Sequence, residues 1–186
     1  MKLIDVIRSN NYLILDTETT GLGNDAEICQ IAVIDATGEE LLNTLVKPVQ
    51  PIPADAIAIH GITNEMVIDA PGWGKLVAPL MRLLDKQQVI IYNATYDRRL
   101  MHQSAEQAGL PKVDWKTIAT FHCAMTHFAA IYGDWNYYYQ SYRWQTLETA
   151  ARYYDVIHQS AHSAIGDCLT TLAVCKAMAA AAEQQK

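Results

Sequence analysis

The chain has 186 residues, 51% of them hydrophobic and 18% charged, with a formal net charge of −6. That length can bury the core of one ordinary domain without disulfide or metal staples, and the composition excludes a largely disordered or fibrous chain. The acidic balance, with a pI near 5.4, excludes a broad non-specific grip on duplex polyanions but leaves room for a few terminal nucleotides held where cations offset the local charge.

The first residues, "MKLIDVIRSNN", carry Asp5 and Arg8 and lead at once into a strand, which does not read as a signal peptide. No stretch offers 18 or more uncharged apolar residues, so the expectation is a soluble, cytoplasmic protein with no membrane partner. "YLILD" (12–16) is a short apolar run of the kind that makes a strand buried on both faces. "EICQIAVIDATGEELLNTLVKP" (27–48) gives two β-rich runs around Ala-Thr-Gly, a hairpin signal, so the first three strands are expected to be antiparallel neighbours. Pro53 opens a short helix ending near Gly61, and 74–84 carries apolar residues at helical spacing despite Pro79.

"QVIIYN" (88–93) reads as another buried strand, with Asn93 at the turn into a helix that Gly109 and Pro111 stop. "WKTIAT" (115–120) is the candidate fifth strand, followed by a helix in "CAMTHFAAIYG". Residues 134–145, "DWNYYYQSYRWQ", are dense in aromatics and interrupt the pattern. Two final helices, near 144–155 and 166–183, flank the polar loop "IHQSAHSAIG". With no internal repeat or linker, the expectation is one domain over 1–186: an α/β fold with a mixed central sheet of about five strands flanked by helices. Cys29, Cys123, Cys168 and Cys175 have no CxxC spacing and read as reduced core residues.

Residues i and i+2 of a strand face one side, so Asp16 and Glu18 project together if the strand persists that far. Two carboxylates so placed repel and lose solvation, and a hard divalent cation relieves both penalties. The alternative for this pair alone is a turn-capping Asp16 and a solvated Glu18. Asp97, one turn into the helix after Asn93, could serve only the helix dipole, and Asp167, five residues after His162, resembles an ordinary first-turn acid. Together the four acids can hold two cations about 3.5 to 4 Å apart, the arrangement that clamps the attacking and leaving oxygens of a phosphodiester. Water would be the nucleophile, and a histidine beside it can take its proton at neutral pH.

"LDTETTGL", "IHGIT", "NATYDRRL" and "HSAIGDC" stand in the order and spacing of the motifs of the DEDDh exonucleases, and from about residue 12 to 178 the chain resembles that family. The family includes the proofreading exonuclease subunit of bacterial DNA polymerase III and ribonuclease T-like enzymes. The resemblance implies a ribonuclease H-like three-layer fold and metal-dependent 3′ to 5′ exonuclease activity with two Mg²⁺ or Mn²⁺ ions. It makes Asp16, Glu18, Asp97 and Asp167 the metal-binding acids and His162 the general base. Thr19, Gly21 and Leu22 would lie along the terminal nucleotide, His60 near the substrate, and Asn93 would steady Asp97.

DNA is the slightly preferred substrate, through a single-stranded 3′ end, with RNA trimming as the near alternative. A binding module without hydrolysis and a subunit docked on a replication or repair protein are the rival classes. The aromatic segment has no motif counterpart; it reads either as a stacking platform for unpaired bases or as a loop packed on a helix or a protein. His102, His122, His127 and His158 have no partner spacing that suggests a role.

Overall fold

The computed structural model describes residues 2–158 and 162–184. A five-stranded sheet lies at its centre in the order β3-β2-β1-β4-β5. β1 (Leu13–Thr19), β2 (Ile28–Asp35) and β3 (Glu40–Leu45) form the expected antiparallel meander. β4 (Gln88–Ile91) and β5 (Thr120–Cys123) extend the sheet parallel to β1. The Ala-Thr-Gly turn forms because the Asp35 carboxylate accepts the backbone N–H groups of Thr37, Gly38 and Glu39 at 2.8 to 3.0 Å.

Alternation along the strands sorts the two helical layers. Ile14, Ala32, Ile34 and Ile90 pack against α1 (Leu3–Ser9), α6 (Ala124–Tyr132), α7 (Leu147–Tyr153) and α8 (Ala164–Gln184). Leu13, Leu15, Ile31, Val33, Val89 and Ile91 pack against α3 (Trp73–Leu84), α4 (Ala94–Gln107) and α5 (Trp115–Ile118). The result is the three-layer α/β architecture expected from the motifs. α2 (Ala54–His60) sits on a smaller cluster built from Cys29, Ile52, Ala56, Ile62 and Val67. Gly61, in the left-handed region at φ 73°, donates to the Ile57 carbonyl and stops α2 directly after His60.

Three local expectations are corrected. Residues 115–118 are helix, not strand, because the Asp114 side chain accepts the Lys116 N–H and caps them; the fifth strand is "TFHC", 120–123. An N-terminal helix, α1, precedes β1 and is fixed by burying Leu3, Val6 and Ile7 rather than by a side-chain cap. The aromatic segment folds into a small hairpin, β6 (Trp135–Asn136) with β7 (Ser141–Tyr142), and α7 begins at Leu147 rather than near 144. α3 does continue through Pro79: that residue and Lys75, whose carbonyl loses its donor, both face water.

α8 is long and apolar enough, by length and composition alone, to cross a membrane. Here it covers the sheet, with Cys168, Leu172, Cys175 and Met178 buried in the α1/α6/α7 layer. All four cysteines are free thiols, three of them buried.

Candidate active site

β1 keeps a regular pairing to Glu18, so Asp16 and Glu18 follow Ile14 on one face, opposite Ala32 and Gln30 of β2. After Glu18 the pairing steps to Thr19 opposite Ile28, which leaves Cys29 as an extra residue and bends the strand end. The first turn of α8 delivers Asp167 to the same face. Gln30 fixes that helix start, its side-chain oxygen accepting the Ala164 N–H at 3.1 Å, and the Asp167 N–H closes on the Ser163 carbonyl at 2.9 Å. Asp16, Glu18 and Asp167 each place one carboxylate oxygen within 4.8 Å of the others.

Asp97 comes from the first turn of α4 and is 3% exposed. The Thr17 hydroxyl, on the opposite face of β1 from Asp16, donates to Asp97 Oδ1 at 2.8 Å. Asn93 supports this turn through its backbone carbonyl, which accepts from Tyr96 N at 2.9 Å and Asp97 N at 3.4 Å; its side chain caps nothing.

Burial raises the Asp16 pKa well above the carboxylate range, and the charges of Asp97, Asp167 and Glu18 push it further. Glu18 rises to about 8, again through burial and then through Asp167 and Asp97. Burial also lifts Asp97, against the lowering effect of the Thr17 hydrogen bond. Among the described residues no lysine or arginine forms an ion pair with Asp16, Glu18 or Asp97. A cluster of hard oxygen donors with no lysine or arginine paired to Asp16, Glu18 or Asp97 fits a divalent cation.

Thr19, Gly21, Leu22 and His60 line a cleft of about 420 Å³ together with Glu18 and Tyr96. The Gly21 carbonyl accepts from Tyr96 Oη at 2.8 Å and Thr19 Oγ1 at 3.1 Å, and Gly21 reaches this position with φ at 154°, which side chains rarely adopt. His60 Nδ1 accepts the Ile62 N–H at 3.0 Å, so its proton is on Nε2, which lies 3.3 Å from the Thr19 carbonyl.

The histidine in contact with the acid cluster is His158, whose Nε2 is 2.9 Å from Asp167 Oδ1. His162 is exposed, in the left-handed region at φ 64°, and stands close enough to His60 to help burial lower the His60 pKa. Sequence reasoning passed over both His158 and Gln30, because nothing in their local spacing marks them.

The profile of the RNase_T family, described as Exonuclease, matches residues 13–175. The chain belongs to this exonuclease family. It is 43% identical over 173 residues to an uncharacterised exonuclease, CP81, of Escherichia phage 186, covering 91% of this chain and 89% of that one. Exodeoxyribonuclease 10 of Escherichia coli K12 is 40% identical over 89 residues, 47% of this chain and 39% of its own length. Among solved structures, Exonuclease X in complex with 5′ overhanging duplex DNA superposes with a TM-score of 0.65 at 26% identity, over 92% of this chain and 93% of that one. Escherichia coli Exonuclease I in complex with a dA16 oligonucleotide shares the fold, with a TM-score of 0.71 at 18% identity over 91% of this chain and 40% of that one. This RNase_T exonuclease is therefore an enzyme acting on nucleic acid, and its acid cluster is of the kind that uses a divalent metal.

Proposed function

We propose that the enzyme removes nucleoside monophosphates one at a time from the 3′ end of DNA, with two divalent cations, Mg²⁺ or Mn²⁺, held by Asp16, Glu18, Asp97 and Asp167. The observation that carries this reading is the convergence of Asp16, Glu18 and Asp167 within 4.8 Å beside the Glu18–Leu22 cleft. Bound cations supply charge against the phosphate oxygens and acidify water. The chain's own residues do the rest. Leu22, 81% exposed, and Ile59 offer an apolar wall to the terminal base and sugar. The Thr19, Gly21 and Tyr96 oxygens lock the cleft's rim. His162 takes the proton from the attacking water.

DNA rather than RNA is supported by the names of the relatives, an exodeoxyribonuclease and an exonuclease held on duplex DNA. Polyanion binding by an acidic chain is supported by the outer face of α4, where Arg98, Arg99, His102, Lys112 and Lys116 line a groove of about 490 Å³. Similarity to the epsilon subunit of DNA polymerase III of Haemophilus influenzae, 31% identical over half of this chain and 40% of that one, supports a replication or repair partner.

The test is a time course on matched 5′-labelled single-stranded DNA and RNA with Mg²⁺ or Mn²⁺, beside EDTA and Asp16→Asn controls. A metal-dependent ladder shortening from the 3′ end, faster on DNA, is expected. Endonucleolytic products, or full activity in Asp16→Asn, would overturn the assignment.

A further inference from the structure

The aromatic hairpin is anchored at the catalytic edge of the sheet. Tyr92 follows β4 directly and precedes Asn93, whose carbonyl supports the Asp97 turn; its hydroxyl lies 2.9 Å from the carbonyls of both Gln145 and Thr146 and donates to them. The root of the hairpin and the turn that presents Asp97 therefore share one strand end.

The hairpin is braced by contacts of its own, and the rings at its tip face water. At its base Trp135 and Tyr142 pack edge to face, with centroids 4.9 Å apart. At its tip the Asn136 side chain accepts the N–H groups of Tyr138 and Tyr139 at 3.0 and 3.2 Å, and Gln140 Nε2 donates to the Tyr137 carbonyl at 2.6 Å. Tyr137, Tyr138 and Tyr139 are nonetheless 82%, 86% and 72% exposed, and Trp144 is 69% exposed. These rings stand out of the core on a tip whose backbone is fixed by its own hydrogen bonds, which lowers the backbone ordering that binding would cost.

The composition selects the occupant. In an acidic chain, residues 134–146 carry one acid, Asp134, and one arginine, Arg143, whose Nε lies 3.8 Å from the Asp134 carboxylate. They hold no Leu, Ile, Val or Met and offer flat rings with polar tips. Such rings stack on any base, and a run of them beside a nuclease site suits a substrate of changing sequence.

We propose that the β6–β7 hairpin is a stacking arm for unpaired bases of the substrate strand upstream of its 3′ end. This rests on the 3′-exonuclease reading above. On this proposal, Tyr137, Tyr138 and Tyr139, rather than the acid cluster, favour single strands over duplex.

The test compares wild type with the triple variants Tyr137→Ala/Tyr138→Ala/Tyr139→Ala and Tyr137→Phe/Tyr138→Phe/Tyr139→Phe. Binding of a fluorescein-labelled 12-nucleotide oligothymidylate is measured in EDTA by anisotropy, independently of turnover, beside a blunt duplex and an oligomer with internal abasic positions. Hydrolysis of the p-nitrophenyl ester of thymidine 5′-monophosphate with Mn²⁺ reports the chemistry alone. The alanine variant is expected to bind the single strand at least about 10-fold more weakly. It should bind the duplex as wild type does and no longer distinguish the abasic oligomer, and the phenylalanine variant should restore binding. Equal single-strand affinity in wild type and the alanine variant would overturn the proposal and leave the hairpin as a protein-docking arm. Loss of the phenylalanine rescue would overturn stacking as the cause. An inert ester with intact, tyrosine-dependent strand binding would sink the exonuclease reading while upholding the arm.

Discussion

His158 Nε2 lies 2.9 Å from Asp167 Oδ1, with both side chains about four-fifths buried, while His162 stands exposed. The two histidines thus separate by contact: one steadies an acid, the other is free to meet water. His162→Ala should lower kcat by roughly 10² to 10⁴ with little change in the Mn²⁺ concentration needed for half activity. His158→Ala should keep kcat within about 10-fold and shift the Mn²⁺ dependence instead, because it frees an oxygen of Asp167. Steady-state kinetics with a metal titration separates the two, and the reverse pattern would transfer the base to His158.

Asp16→Asn should abolish activity and yet stabilise the metal-free protein. The substitution removes a buried carboxyl that folding must either ionise among other acids or protonate, a cost that Asn does not carry. For a chain of this size Tm should rise by about 2 to 4 °C per kcal/mol relieved. Thermal melts in EDTA and in excess Mn²⁺ check this: the variant should melt above wild type in EDTA and gain less from the metal.

Glu18 makes the metal-free protein pH-sensitive in a defined direction. Its pKa is raised from the ordinary 4.5 to about 8, so the folded state holds its proton more tightly than the unfolded state does. The associated stability is complete below about pH 4.5 and is lost as pH rises through about 8. Melting temperature in EDTA should fall between pH 5 and pH 8, and a saturating divalent cation should flatten that slope. A metal-free Tm that rises through this window would contradict the electrostatics of the cluster.

Thr17 should matter through Asp97 alone, since its hydroxyl donates to Oδ1 at 2.8 Å. Thr17→Val keeps the shape, withdraws the donor, and should cost about 1 to 3 kcal/mol. Because that bond holds the Asp97 pKa down, its loss should also move the acidic limb of the activity profile toward higher pH. Rates measured from pH 6 to 9 in saturating Mn²⁺, with Thr17→Ser as the rescue, test this.

The groove on α4 should set the salt dependence of binding. Arg98→Gln, Lys112→Gln and Lys116→Gln should each reduce the slope of log K against log salt by about 1, without changing hydrolysis of a small nucleotide ester. Titrations from 50 to 300 mM NaCl measure it, and an unaltered slope would remove these cations from the substrate path.

What was legible in the sequence is what local patterns encode. Asp16 and Glu18 announce a shared face by their spacing, and the motif order carries Asp97 and Asp167 to them. Pro53 and Gly61 bound α2 by backbone chemistry that any reader can apply. Trp115 misled because a buried aromatic fits a strand as well as a helix, and only the Asp114 cap decides between them. α1 was invisible because its stability is tertiary, resting on Leu3, Val6 and Ile7 meeting a helix from the other end of the chain. Gln30 and His158 were unreadable for the same reason: the first bonds a helix start 134 residues away, and the second meets Asp167 through tertiary placement, at a separation of nine residues that no local pattern encodes.

The face-to-face alternation of β1 has an evolutionary reading. Ile14, Asp16 and Glu18 look one way, and Leu13, Leu15 and Thr17 the other. Slipping this strand by one position would turn the acids toward the layer beneath α3 and α4 and bring Leu15 and Thr17 round to the face that meets α8. A single-residue change of length between Leu13 and Glu18 therefore erases the reaction. Lineages descended from this chain should keep the length of this strand frozen.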